Sequence, residues 1–194
     1  MRPVTLGTAR LVLRPFTPED VPAVHSACQD PDILRWTTLP EPYERRHAQE
    51  FVLSLAPSGW REDTAYNFGV FTRDGGELVG SMGLVRITPP GPEGRVAELG
   101  YWTARERRRH GYTAEAAGAV VDWAFDELGV ERLEWVAEVG NTGSRAVAER
   151  LGFVVEGTLR ARIPFRGTRR DAWLASLLPS DRGRTPGVPH LPAT

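Results

Sequence analysis

The stretch RVAELGYWTARERRRHGYTAEAAGAVVDWAFDELGVERLEWVAEVGNTGSRAVAERLGF, residues 95–153, decides the fold. Arg95–Trp102 reads as a strand, Arg105–Gly111 as an arginine-rich turn, and a helix starts near Tyr112. In that helix Ala114, Ala117, Val120, Val121, Ala124, Phe125 and Leu128 recur at helical spacing and give one buried stripe. Gly129 is its stop signal. Leu133–Val139 reads as a second strand, and Asn141 opens a second helix that ends at Leu151-Gly152-Phe153. Strand, anion-binding turn, helix, strand, polar turn, helix is an order that suits a phosphate-bearing ligand laid across a sheet edge.

The turn carries the first chemical signal. The leading N–H groups of a helix have no intrahelical partner, and the helix dipole adds partial positive charge beside them. Together they form an anion site. Gly111 lets a ligand approach the backbone with no Cβ in the way. Thr113 and Ala114 keep the first turn small, and Arg107, Arg108 and Arg109 add positive potential. A dinucleotide fingerprint needs G-x-G-x-x-G directly after a strand, and this turn has one glycine. No Gly-Lys-Ser/Thr occurs, because the chain has no lysine and all 24 of its basic residues are arginine.

Working outward towards the N-terminus, Tyr66–Phe71 and Leu78–Val85 form a hairpin around the turn signal Arg73-Asp74-Gly75-Gly76. Thr88-Pro89-Pro90-Gly91-Pro92 is a loop, since prolines there stop strand pairing. Leu11–Leu13 is a first strand. Thr17-Pro18-Glu19-Asp20 is a helix start in which Thr17 caps and Asp20 closes a capping-box-like pattern. Val21, Val24 and Cys28 share a face, which makes Cys28 a small core residue. Asp30-Pro31-Asp32 begins a short helical turn, and Ala48, Phe51, Val52 and Leu55 mark an amphipathic helix. Between them, Leu34–Tyr43 is either an ordered loop with aromatic plugs or a surface facing a substrate. Towards the C-terminus, Phe153–Arg160 and Ala172–Leu178 read as strands. The fold class is α/β with a mixed sheet, in a domain spanning residues 1–178. Residues 179–194 are rich in proline and polar residues, and are expected to be a disordered or loosely attached tail.

Composition narrows the function. A chain of 194 residues suits one domain, and its 41% hydrophobic content suffices for a core. A net charge of −1 supplies no global field to draw it to nucleic acid or to a membrane. One cysteine cannot form an internal disulfide, which fits a reducing cytoplasm. There is no signal-peptide core, and no apolar run nears the ~18 residues of a membrane span. The absence of lysine excludes a lysine nucleophile or Schiff base. His25, His47, His110 and His190 lack metal-ligand spacing, so no metal is expected.

Arg108-Arg109-His110-Gly111-Tyr112-Thr113 resembles the Arg/Gln-x-x-Gly-x-Gly/Ala signature of the GNAT superfamily of acyl-CoA-dependent N-acetyltransferases. Gly111–Ala116 resembles the form found in its RimJ/RimL-like branch, which acetylates N-terminal amines of ribosomal proteins. Asn141-Thr142-Gly143-Ser144 followed by Leu151-Gly152-Phe153, the opening Ala9–Pro15, and Asp171–Leu178 are similar to that branch too. The resemblance implies a GNAT fold with a mixed, mostly antiparallel central sheet flanked by helices. It implies acetyl-CoA as co-substrate, a cytoplasmic enzyme, and an acceptor amine on a protein N-terminus or a small molecule. A homodimer is in keeping with it, since edge strands of such domains commonly pair.

Residue by residue, the resemblance implies that Tyr101 and Trp102 pair with the pantetheine arm through their backbone. Arg108, Arg109, His110, Gly111, Tyr112 and Thr113 would hold the pyrophosphate, and Asn141 would hydrogen-bond the arm. Thr113 departs from the glycine or alanine of the signature. Glu98 stands where family members carry the base that deprotonates the amine; otherwise it is an ordinary strand carboxylate. Ser144 stands where the branch places a hydroxyl that donates a proton or hydrogen bond to the sulfur; otherwise it helps cap a helix. Many GNAT enzymes use a tyrosine one turn later, and here that position is Ala148. Two readings of another kind stay open. One is a silent acyl-CoA-binding module. The other is an arginine-patch RNA binder, which would show steep salt dependence. The arginines between Arg160 and Arg170 have no assigned role at this level, beyond attraction for an acidic protein.

Overall fold

A computed structural model describes residues 1–192. Its elements in chain order are β1 (Leu6–Gly7), β2 (Leu11–Arg14), α1 (Val21–Ala27), α2 (Pro31–Trp36), α3 (Arg45–Glu50), α4 (Ala56–Glu62), β3 (Tyr66–Thr72), β4 (Leu78–Val85), β5 (Arg95–Thr103), α5 (Tyr112–Asp126), β6 (Val130–Glu138), α6 (Thr142–Leu151), β7 (Val154–Phe165) and β8 (Thr168–Leu177). The eight strands form one sheet in the order β1-β2-β3-β4-β5-β6-β8-β7. Among the described residues only β5 and β6 run parallel, with α5 as the crossover that a parallel pair requires. The mixed, mostly antiparallel sheet expected for the GNAT fold is the one found.

The α5 stripe explains how that crossover packs. Ala116, Ala117, Val120, Val121 and Ala124 are each 0% exposed. Small and β-branched residues on one face let the helix lie close to the sheet. Trp123 then meets Trp60, Tyr66 and Phe68 with ring centroids 5.3–5.8 Å apart. The Tyr66 and Phe68 contacts are edge-to-face and tie β3 to α5, each adding about 0.5–1.5 kcal/mol beyond burial, while the tilted Trp60 contact joins α4 to α5. A second cluster gathers Phe16, Val21, Val24, Cys28, Ile33 and Tyr43 of the N-terminal segment, with Trp102 packed against it. Cys28 is a core residue, and burial raises its thiol to about 12.

Several local expectations shift. The Thr17–Asp20 start is a single 3-10 turn whose Asp20 carboxylate accepts from the Thr17 N–H (2.7 Å) and takes Arg14 in a two-pronged pair. The amphipathic helix is broken by a π turn at Phe51–Leu55, where Ala56 N–H reaches back to the Phe51 carbonyl. Pro57 has no N–H to continue the regular ladder. Leu55, expected on the buried face, is 56% exposed because the π turn rotates it outward. The last two strands are longer than expected and close on the turn Arg166-Gly167. Beyond them Pro179 is buried, and Arg182 and Arg184 pair with Asp122 and Asp126 on α5. Charge and one proline therefore dock the start of the expected tail, where apolar periodicity gave no sign. Its last two residues lie outside the described ones.

Arg132 on β6 donates to both oxygens of Glu156 on β7 (2.9 and 2.7 Å). That guanidinium holds the Glu156 carboxyl at about 2, below its ordinary 4.5. A carboxyl depressed by folding stabilises the protein above its unfolded value. The stabilisation present above 4.5 is therefore lost as the pH falls towards 2. Thermal midpoints recorded across that range should fall more steeply for the wild type than for Glu156→Gln. Parallel curves would show that this pair contributes nothing.

Candidate active site

β5 pairs with β6 only from Arg95 to Glu98, although β5 continues to Thr103 and β6 to Glu138. β4 stays paired with β5 through Thr103. From Leu99 onward one edge of β5 has no strand beside it, and the two strands diverge. The first turn of α6 sits across this opening. A cleft of about 600 Å³ fills it, lined among others by Tyr101, Trp102, Thr103, Arg109, Gly111, Thr113, Asn141 and Ser144.

At one end of the cleft is the arginine turn. Arg109 (φ 63°) and Gly111 (φ 77°) are both in the left-handed region, and Gly111 caps α5 with no side-chain hydrogen bond to its first turn. The leading N–H groups of α5 therefore face the cleft without an intrahelical partner. Thr113, the departure from the signature, shares a 2.7 Å hydrogen bond with Thr103 on β5. The threonine hydroxyl joins strand to helix at the site's floor.

The turn is braced from outside. His110 stacks on Tyr112 (5.4 Å between centroids), and the Arg10 guanidinium lies over the Tyr112 ring at 4.6 Å. Arg10 also donates to the His110 carbonyl and to Glu115. Neither the His110 nor the Tyr112 side chain lines the cleft, so any contact from these residues to a ligand there is through the backbone. The arginines divide by their ion pairs, although Arg108 lines the cleft as Arg109 does. Arg107 pairs with Glu77, and Arg108 with Asp30 and Asp32 beside α2. Arg109 and Arg150 line the cleft and have no ion-pair partner among the described residues. The positive potential read from the arginine run thus comes less from Arg107 and Arg108 than its sequence suggests.

At the other end, the Asn141 side-chain oxygen accepts from the Ser144 N–H at 3.2 Å and caps α6. Its amide nitrogen has no partner among the described residues. The Ser144 hydroxyl is not isolated. Trp135 Nε1 donates to Ser144 Oγ (3.1 Å), Ser144 Oγ donates to Tyr101 Oη (3.1 Å), and Tyr101 Oη donates to the Ser144 carbonyl (2.9 Å). Burial raises the Tyr101 hydroxyl to about 12. The sequence motif assigns Tyr101 a backbone role alone and assigns Trp135 none. Nothing in either local pattern shows that side chains from two strands meet on one helix turn.

Glu98 does not line this cleft. Strand alternation turns Ala97, Leu99 and Tyr101 to the α5 side of the sheet, and Glu98, Gly100 and Trp102 to the other. The Glu98 carboxylate pairs with Arg86 at 2.7 Å. Its pKa is nevertheless raised, because desolvation outweighs the pull of Arg86. Beside it a Cβ at Gly100 would meet nothing within 4 Å. An open window thus lies between Glu98 and Trp102, on the face opposite the Tyr101 hydroxyl.

α2 closes the mouth with Asp32, Ile33 and Trp36, and Thr37 just beyond its end joins them. It is held at both ends. Arg108 pairs with Asp30 and Asp32 at its start, and Arg35 makes a two-pronged pair with the buried Glu138 at 2.7 and 2.8 Å. The unexplained arginine cluster belongs to the same arrangement. Arg170 adds to Glu138, and Arg166 at the β7–β8 turn pairs with Glu41 and donates to the Leu34 carbonyl.

No helix is long and apolar enough to cross a membrane, and no group of metal-ligating side chains is found, both among the described residues. The uncharacterized N-acetyltransferase YoaA of Bacillus subtilis is 28% identical to the chain over 173 residues, 89% of this chain and 96% of that protein. The ribosomal-protein-serine acetyltransferase of Escherichia coli is 31% identical over 93 residues, 48% of this chain and 49% of that one. Mycobacterium smegmatis RimJ, solved in complex with CoA-disulfide, shares the fold with a TM-score of 0.84 at 24% identity, over 96% of this chain and 94% of that one. Residues 10–154 match the acetyltransferase (GNAT) domain, so the chain belongs to the GNAT family and is an N-acetyltransferase.

Proposed function

We infer that the cleft takes acetyl-CoA and that the chain transfers its acetyl group to the α-amine of a protein N-terminus. The divergence of β5 and β6 carries this reading. It leaves a strand edge free from Leu99 to Thr103, with an uncapped helix start at one end and a hydroxyl network at the other. An extended amide-bearing arm adds to such an edge as a strand would, and Asn141 offers its free amide to the same arm. The pyrophosphate meets the N–H groups from Arg109 to Thr113, with Arg109 beside it. The RimJ neighbour, which holds a CoA-disulfide, and the ribosomal-protein acetyltransferase relative support donor and acceptor alike.

The acceptor enters from the Glu98 face. Its neutral nitrogen attacks the thioester carbon through the Gly100 window, the C–S bond breaks, and sulfur departs with the electron pair. The nitrogen becomes acidic as the new bond forms, and its proton passes to Glu98 directly or through one water. An α-amine with a pKa near ~8 is about a tenth neutral at pH 7, far more than a lysine amine near ~10.4. A single carboxylate therefore suffices for an N-terminus.

The window gives a direct check. Gly100→Val adds methyl groups to open space, so the fold should hold. Coenzyme A affinity should stay within about threefold, while kcat/KM for the acceptor falls roughly 10²-fold through misplacement. An unchanged kcat/KM would put the acceptor elsewhere.

The function itself is tested by thiol release from acetyl-CoA with peptides bearing free Ala, Ser or Met N-termini, aminoglycosides, amino acids and polyamines. Release with peptides supports the reading and ranks first residues. Release with small amines alone replaces it with a small-molecule acetyltransferase. Silence across a panel that also fails to bind coenzyme A would remove the donor.

A further inference from the structure

The three hydrogen bonds around Ser144 have a forced direction. A carbonyl only accepts, so the 2.9 Å contact with the Ser144 carbonyl uses the single proton of Tyr101 Oη. Tyr101 Oη must then accept in its 3.1 Å contact with Ser144 Oγ, which uses the serine's only proton. Indole N–H is a donor alone, so Trp135 fills a lone pair of Ser144 Oγ. The chain runs one way, from Trp135 through Ser144 to Tyr101, and ends on the Ser144 carbonyl. Hydrogen bonds in series polarise one another, so the last hydroxyl is the strongest donor.

The two ends differ in freedom. Trp135 is 1% exposed and fixed in the core. Ser144 lies between its two partners. Tyr101 lines the cleft, and the carbonyl it now holds also belongs to the α6 ladder, where it accepts from the N–H four residues on. Turning the tyrosine proton towards a ligand therefore strands no buried group. A phenol is also a much stronger acid than an aliphatic alcohol, and so a better donor to a thiolate.

We propose that the Tyr101 hydroxyl is the catalytic hydrogen-bond donor to the departing sulfur, with Ser144 and Trp135 as positioning residues that aim it. The assignment rests on acetyl-CoA occupying the cleft. A tyrosine on β5 then does what the Ala148 position on α6 cannot. As the nitrogen bonds to the thioester carbon and the C–S bond breaks, Tyr101 Oη–H swings from the Ser144 carbonyl to the sulfur. No proton leaves the tyrosine. Coenzyme A forms as a hydrogen-bonded thiolate and is protonated by solvent on release. A hydroxyl raised to about 12 stays protonated throughout the working range, as a donor must.

The test needs no acceptor. The thiol of bound coenzyme A is titrated by the ultraviolet absorbance of its thiolate, in the wild type, Tyr101→Phe, Ser144→Ala and Trp135→Phe. An unperturbed thiol titrates near ~8.5. Wild type should hold it about one unit lower, Tyr101→Phe should return it, and the two positioning variants should lie between. With an accepted amine, Tyr101→Phe should lower kcat roughly 10²-fold at unchanged coenzyme A affinity. A 3-fluorotyrosine at position 101, a better donor of the same shape, should restore or exceed wild-type kcat. The same thiol pKa in wild type and Tyr101→Phe overturns the proposal. So does a pKa returned by Ser144→Ala but not by Tyr101→Phe, which would make the serine the donor. If coenzyme A does not bind the wild type at all, the donor reading fails, and this assignment with it.

Discussion

Glu98→Gln is expected to lower kcat by about 10²- to 10³-fold and to leave coenzyme A affinity within about twofold. Glutamine keeps the size and the hydrogen-bonding reach of the carboxylate, and Glu98 does not line the cleft, so the coenzyme is untouched. Its loss frees Arg86, whose side chain is 60% exposed and can be solvated, so the thermal midpoint should barely move. What disappears is the acceptor for the amine proton. The pH profile separates this from a packing effect. In the wild type, kcat/KM should rise towards the amine pKa near ~8. On the acid side it should fall as Glu98 takes a proton, at a pH above the ordinary carboxylate value because burial raises this group. The variant should lose that acid limb and regain part of its deficit at high pH, where solvent hydroxide takes over. Wild-type turnover in Glu98→Gln would end the base assignment.

Gly111→Val should weaken coenzyme A binding by about 10²-fold, read by calorimetry. The cause is backbone conformation, not crowding. A Cβ here would have only the Arg10 guanidinium near it, at 3.5 Å, but φ is 77°. A left-handed L-residue costs roughly 1–2 kcal/mol, and a β-branched one is a genuine outlier there. The turn must relax, and the N–H groups at the start of α5 then point away from the phosphate position. The buried stripe of α5 holds the helix in place, so the fold should survive. Gly111→Ala, strained but not branched, should lose about tenfold. Equal affinity in Gly111→Val would mean that the phosphates lie elsewhere.

The segment from Arg95 to Phe153 was legible because its information is local. The α5 stripe repeats along one helix, Gly111 and Asn141 mark turns by their own backbone needs, and the hairpin at Arg73–Gly76 announces itself. Those signals gave the order of elements and both walls of the cleft. Local signals failed wherever distant charge decided. The arginine run reads as phosphate-binding, yet two of its members are held by Glu77, Asp30 and Asp32. The tail has no apolar pattern, yet two arginines and a buried proline dock it. The Arg160–Arg170 cluster has no periodicity to read, because its partners lie on α2, its following loop and β6.

Sequence by itself therefore determined the family, the sheet order's central crossover and the glycine turn that starts α5, since each is written in neighbours along the chain. Tertiary structure alone decided that β5 and β6 part after Glu98, that Glu98 and the Tyr101 hydroxyl face opposite sides of the sheet, and that Trp135, Ser144 and Tyr101 form one directed chain. A hydrogen bond depends on distance and angle in space, and these three residues lie up to 43 positions apart in sequence.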